Sequence, residues 1–182
     1  MSLLTNIKQR FFNRRWAEER AKLRTTTPAA LNLHSASRIT LLFPADDADE
    51  RKVIDRWRDG HKKAGRKIRV LGYFGQDIGA TNFNFRALSI KNLNWYGLPE
   101  GSLVEEFQKE SCEILIRLGP QVHPILDYLA DMKPGALKVG PYHPTQELPY
   151  HLQYDASGST KFKDQLAAIE HIFSYTNATA TT

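Results

Sequence analysis

Short apolar runs separated by polar stretches of helical length constrain this chain more than any other feature. "RITLLF" (38–43), "KIRVLGYF" (67–74), "CEILIRL" (112–118) and "ALKVG" (136–140) read as strands. Helical segments fall between them at 46–65, 102–111 and 123–132. Strands that alternate with helices call for crossover connections, and hence for a mostly parallel sheet covered on both faces. Loop 75–90 ends in a weaker third strand, "YHLQYDAS" (150–157) reads as an edge strand, and 159–176 as the closing helix. The expected fold class is therefore a three-layer α/β domain, a mostly parallel sheet of five or six strands with an N-terminal basic helix.

Charge divides the chain. Residues 1–24 hold seven basic side chains (Lys8, Arg10, Arg14, Arg15, Arg20, Lys22, Arg24) against Glu18 and Glu19, which leaves 18 basic and 18 acidic groups elsewhere. The pI of about 9.3 thus belongs to one segment. The expected organisation is a basic helical arm over 1–24, a linker over 25–37, a single α/β domain over 38–176 and a flexible tail over 177–182. In the arm, Leu3, Leu4, Ile7 and Phe11 share one helical stripe, while Phe12, Trp16 and Leu23 share another. Two stripes on one helix predict an arm half docked and half free. At 182 residues the chain can bury roughly 70% of its unfolded surface without a metal or disulfide. The single cysteine, Cys112, opens an apolar run and reads as a buried structural thiol. No apolar span is long enough to cross a membrane, and Lys8 and Arg10 interrupt any signal-peptide core, so a cytoplasmic location is expected.

The first strand ends in "FPADDADE" (43–50) where a doubly wound fold usually binds phosphate. No G-x-G-x-x-G or G-x-x-x-x-G-K-[ST] pattern is present, and Asp46, Asp47, Asp49 and Glu50 would repel a phosphate. They suit a helix N-terminus instead, and no cofactor is expected. Two later loops share a pattern, "GPQVHP" and "GPYHP", each leaving the end of a strand. His123 and His143 would then point to one sheet edge with Asp46, as metal ligands or as an acid and a base, and His151 could join them. Their spacing matches no compact zinc pattern, and histidines in Pro-rich turns more often serve the turn itself. No metal is expected. Ser102 with Glu105 reads as a capping box for the helix that follows.

The stretch "NLNWYGLPEG" (92–101) sets Trp95 and Tyr96 among loop formers. With Phe83 and Phe85 they could form an aromatic cluster able to stack bases, but the loop lacks a basic groove. The favoured reading has Trp95 covering the end of the sheet and pinning a crossover.

"IKNLNWYGLPEG", "EEFQKESCEILIRL", "LKVG" and the run 32–74 resemble a small family of uncharacterised α/β proteins from Bacteroidota, a domain of unknown function, over roughly 31–175. The resemblance implies a basic segment before an α/β domain, and no activity. In the family an Asp tends to end the strand where Arg117 stands, and neither His123 nor His143 belongs to its pattern. The expected function is a non-enzymatic cytoplasmic adaptor. Lys8, Arg10, Arg14, Arg15, Trp16, Arg20, Trp95 and Tyr96 would contact an anionic surface, either RNA (ribosomal RNA included) or a membrane, or else a protein partner or second subunit. The alternative is an enzyme that uses Asp46, His123 and His143.

Overall fold

The computed structural model describes residues 3–23, 32, 33 and 35–176. Arg24, most of the expected linker and the 177–182 tail lie outside the described residues. Six strands form one all-parallel sheet: β1 (Arg38–Pro44), β2 (Lys67–Phe74), β3 (Arg86–Ser89), β4 (Ile114–Arg117), β5 (Leu137–Pro141) and β6 (Leu152–Tyr154). Their order is β3-β2-β1-β4-β5-β6, the doubly wound order in which the chain reverses direction between β1 and β4. Among the described residues five α-helices accompany them: α1 (Leu3–Arg20), α2 (Ala48–Lys63), α3 (Ser102–Lys109), α4 (Pro124–Asp131) and α5 (Phe162–Thr176). The expected α/β class is what the chain adopts.

Alternation along the central strands sends side chains to two separate cores. Ile39, Leu41, Phe43, Ile114 and Ile116 meet Ile54 of α2 and Leu166, Ile169 and Phe173 of α5. Leu42 and Leu115 meet Val104 and Phe107 of α3, Leu126 and Leu129 of α4, and Phe12 of α1. Leu33 and Ala36, from the end of the expected linker, are buried in the first core.

Two local expectations change. The capping box at Ser102 does not form. Gly101 sits at φ +99°, a backbone state that favours glycine, and takes the capping position, so Ser102 becomes the first helical residue. Nor do the four loop aromatics gather. Phe83 and Phe85 stack near Phe74 on the α2–α5 side, while Tyr96 packs into the core beneath α1, on the other face of the sheet.

The arm lies against its own domain. Phe12, Trp16 and Glu19 recur at helical spacing and face α4, and Leu23, in the turn that follows α1, packs against the same core. Phe12 and Trp16 meet edge to face at 5.7 Å, and both approach the Tyr128 ring. Trp16 Nε1 donates to Asp131 Oδ2 at 2.6 Å, Arg20 donates to the same oxygen, and the Tyr128 hydroxyl donates to Glu19. Phe12→Ala should therefore loosen α1 by roughly 3 kcal/mol, and amide exchange there should rise on the order of 100-fold while β1 and β4 keep their protection. Unchanged exchange in α1 would show that the arm is held by something other than this stripe.

Candidate functional site

Two regions gather polar groups: the C-terminal edge of the sheet, and the outer side of α1 with the Trp95 loop.

At the sheet edge the acidic turn is spent on backbone. Asp47 is the N-cap of α2, and its Oδ1 accepts from the N–H of Asp49 at 2.8 Å and of Glu50 at 3.2 Å. Asp46 accepts from Gly75 N–H after β2. Glu50 accepts from Phe162 N–H at 2.8 Å and pairs with Lys161. The cleft between β1 and β4 has a volume of about 280 Å³ and is lined by these carboxylates, Pro44, Gly119 and Lys161. A Cβ on Gly119 would stand 2.8 Å from Pro44, so the two strand ends press together where a dinucleotide fold keeps a crevice open.

His123 is the N-cap of α4. Its Nδ1 accepts from Leu126 N–H at 3.4 Å, which puts the ring proton on Nε2, and its ring meets Tyr73 edge-on at 5.4 Å. Burial and then the Arg117 charge push its pKa down to about 4, against a weaker opposing pull from Asp46. A neutral imidazole this acidic is a weak base near pH 7. His143 is turned on its own loop, its Nδ1 accepting from Thr145 N–H at 3.2 Å. His151 precedes β6, where its Nδ1 accepts from Lys138 N–H at the opposite end of the strands. Asp46 and His123 thus feel one another's charge, while His143 serves its own loop and His151 ties the start of β6 to β5. Among the described residues no group of three or more His, Cys, Asp or Glu could hold a metal ion.

Sequence reading missed the charged centre at this edge. Arg117 ends β4 with no exposed surface and points to the α4 side, where its NH2 lies 3.1 Å from Asp127 Oδ1. Tyr150 donates to the same oxygen at 2.5 Å, and His123 N–H to Oδ2 at 2.8 Å. Gly140 leaves room for the Tyr150 ring, since a Cβ there would fall 2.5 Å from it. Arg117 also donates to Pro120 O, but its Nε and NH2 make no directed hydrogen bond among the described residues. Burial raises the Asp127 pKa above the ordinary carboxylate value despite the nearby guanidinium. The sequence signal was an arginine ending an otherwise apolar central strand.

On the second region, Trp95 is 58% exposed. It does not cover the sheet, as the sequence suggested; Tyr96 turns inward and Trp95 outward. Phe11 reaches across to Trp95 at a ring separation of 5.2 Å. Leu4, Ile7 and Phe11 are 68%, 38% and 42% exposed. Of the basic side chains, Trp16's neighbour Arg20 is engaged by Asp131, Arg14 and Arg15 share Glu18 at 2.9 and 3.0 Å, and Tyr96 and then Glu18 raise the pKa of Arg15. Lys8, Arg10 and Lys22 are exposed, and no ion pair among the described residues engages them. A groove of about 470 Å³ runs on the other flank of α1, lined by Gln9, Asn13, Trp16, Arg20, Asp127 and Glu147. No helix among the described residues is long and apolar enough to cross a membrane.

A family model described as a family of unknown function, DUF6913, matches residues 8–175, and the chain belongs to that family. Its match takes in most of α1, so the arm is part of the family unit. Neither a curated protein nor a solved structure matches the chain.

Two outcomes test the sheet-edge chemistry. Asp127→Asn should cost roughly 3–5 kcal/mol in urea unfolding, because Arg117 is left buried and uncompensated, and Arg117→Met with Asp127→Leu should recover most of it. A loss below about 1 kcal/mol in the single variant would mean the pair contributes nothing. Because His123 is held below its ordinary 6.5 in the folded state, the unfolded chain binds more protons between about pH 4 and 6.5. Stability should therefore rise with pH across that window and fall on acidification, by up to roughly 3 kcal/mol for this group. Asp127 acts in the opposite sense and the depressed His151 in the same one, and both remain in His123→Asn, whose pH profile should be flatter than wild type.

Proposed function

We propose that this family member is a non-enzymatic cytoplasmic adaptor whose docked α1 contacts an anionic surface. The observation that carries the reading is the division of α1 into two sides. One stripe is committed to α4, while Lys8 and Arg10, with Lys22 in the turn that follows the helix, remain exposed without ion partners among the described residues. A cationic helix fixed on a rigid domain presents its charges in one orientation, which raises the local concentration of a polyanion at that side. The commitment of Asp46 to the Gly75 N–H, and of Asp47 and His123 to helix capping, supports the same reading over the enzymatic alternative, since these groups are already spent on backbone donors.

Retention on an immobilised polyanion such as heparin tests the reading. Wild type should elute at higher salt than the Lys8→Glu, Arg10→Glu, Lys22→Glu triple variant, with binding falling steeply as salt rises. Identical elution of the two proteins would remove the arm from the function.

A further inference from the structure

We infer that α1 and the Trp95 loop together form a lipid-binding wedge that lies in the interface of an anionic bilayer. The inference rests on the reading of α1 as a contact to an anionic surface and names that surface. Leu4, Ile7 and Phe11 recur along one side of α1, and Phe11 touches Trp95, so two elements distant in sequence make one outward apolar ridge. Exposed hydrophobic side chains scattered singly need no explanation, but a contiguous ridge of four does.

Trp95 is held outward. Asn94 Oδ1 accepts from Tyr96 N–H at 3.3 Å and from Leu98 N–H at 3.0 Å, Glu100 N–H donates to Asn92 O at 2.8 Å, and Leu93 bridges Pro99. Gly97 at φ +96° closes the turn in a state that a side chain would strain. The Trp95 ring stands edge-on to Tyr96 at 5.1 Å. A rigid loop that offers an indole to solvent beside a cationic helix has the composition of an interfacial anchor.

The flanking charges choose the occupant. Lys8 and Arg15 border the ridge on one side by helical spacing, and Arg10 and Arg14 on the other. Glu18, which continues the ridge, is bridged to both Arg14 and Arg15. A second copy docked ridge to ridge would bring like charges together. Nucleic acid would engage the cations and stack on the rings, but it offers nothing to Leu4 or Ile7. A bilayer with anionic headgroups supplies both an apolar layer and a diffuse negative charge. The helix needs no release from the domain, because Phe12, Trp16 and Leu23 occupy a different stripe.

Co-sedimentation of the full chain with vesicles decides the matter. Phosphatidylcholine vesicles containing about one-third phosphatidylserine should bind the protein, and phosphatidylcholine alone should bind it several-fold less. Raising salt from about 0.1 to 0.5 M should weaken binding without abolishing it, because the apolar part is unscreened. Ile7→Gln and Trp95→Gln, both uncharged changes at exposed positions and checked for folding by circular dichroism, should each lower vesicle affinity on the order of tenfold while leaving polyanion retention unchanged. Wild type that is retained by heparin but ignores anionic vesicles overturns the lipid assignment and leaves the adaptor reading standing. Failure on both surfaces removes both. Vesicle binding unaffected by the two glutamine variants overturns the wedge, as does a ridge-dependent dimer in sedimentation or ridge-dependent binding to RNA.

Discussion

A parallel sheet presents two apolar faces that must both be covered, and in this chain they are covered unequally. Two long helices, α2 and α5, close one face, with Trp57 Nε1 of α2 bonded to Glu170 of α5 at 2.9 Å. The other face receives α3 and α4, each of eight residues. That shortfall is met by α1, which brings Phe12 and Trp16 over α4, with Leu23 packed against the same core just beyond the helix. The arm is basic by composition but structural by placement on one side. Its second side follows from the first: a helix docked by a single narrow stripe keeps the rest of its circumference in water.

The same face carries the fold's costliest group. Arg117 occupies a central-strand position where an apolar residue would have served packing, and it needs Asp127, Tyr150 and the Pro120 carbonyl around it. A pair buried this deeply gains little over a hydrophobic replacement, yet it ties the end of β4, the start of α4 and the segment before β6 into one unit. Tyr154 extends that unit to the first face, its hydroxyl lying within hydrogen-bond reach of two acceptors, the carbonyl of Arg117 at 3.0 Å and Gln165 Oε1 of α5 at 3.1 Å. The strand edge where α/β folds commonly place ligands is, in this protein, largely occupied by its own polar contacts.

Much of the architecture was legible along the chain. Strand runs and helix periods locate nearly every element, because two-residue and 3.6-residue patterns are written locally. The acidic turn read correctly as a helix cap for the same reason: Asp47 reaches only two and three residues ahead. Ser102 misled because its serine-glutamate spacing imitates a capping box, while Gly101 claims the cap through its backbone conformation. His123 and His143 share a local pattern, but each is consumed by its own turn, and the likeness of their loops carries no information about where the rings converge.

By itself the sequence determined the class of fold, the order of its elements, the uneven distribution of charge and the two stripes on α1, since each depends on residues within a few positions of one another. Tertiary structure alone decided which stripe would be buried, which of Trp95 and Tyr96 would face water, and that Arg117 would be sealed beneath α4. Those outcomes depend on partners far away in the chain. Trp16 meets Asp131 across 115 positions, and Phe11 meets Trp95 only because both elements pack against the same face of the sheet. Local periodicity encodes the shape of each element, but long-range packing chooses which surface of it remains available for function.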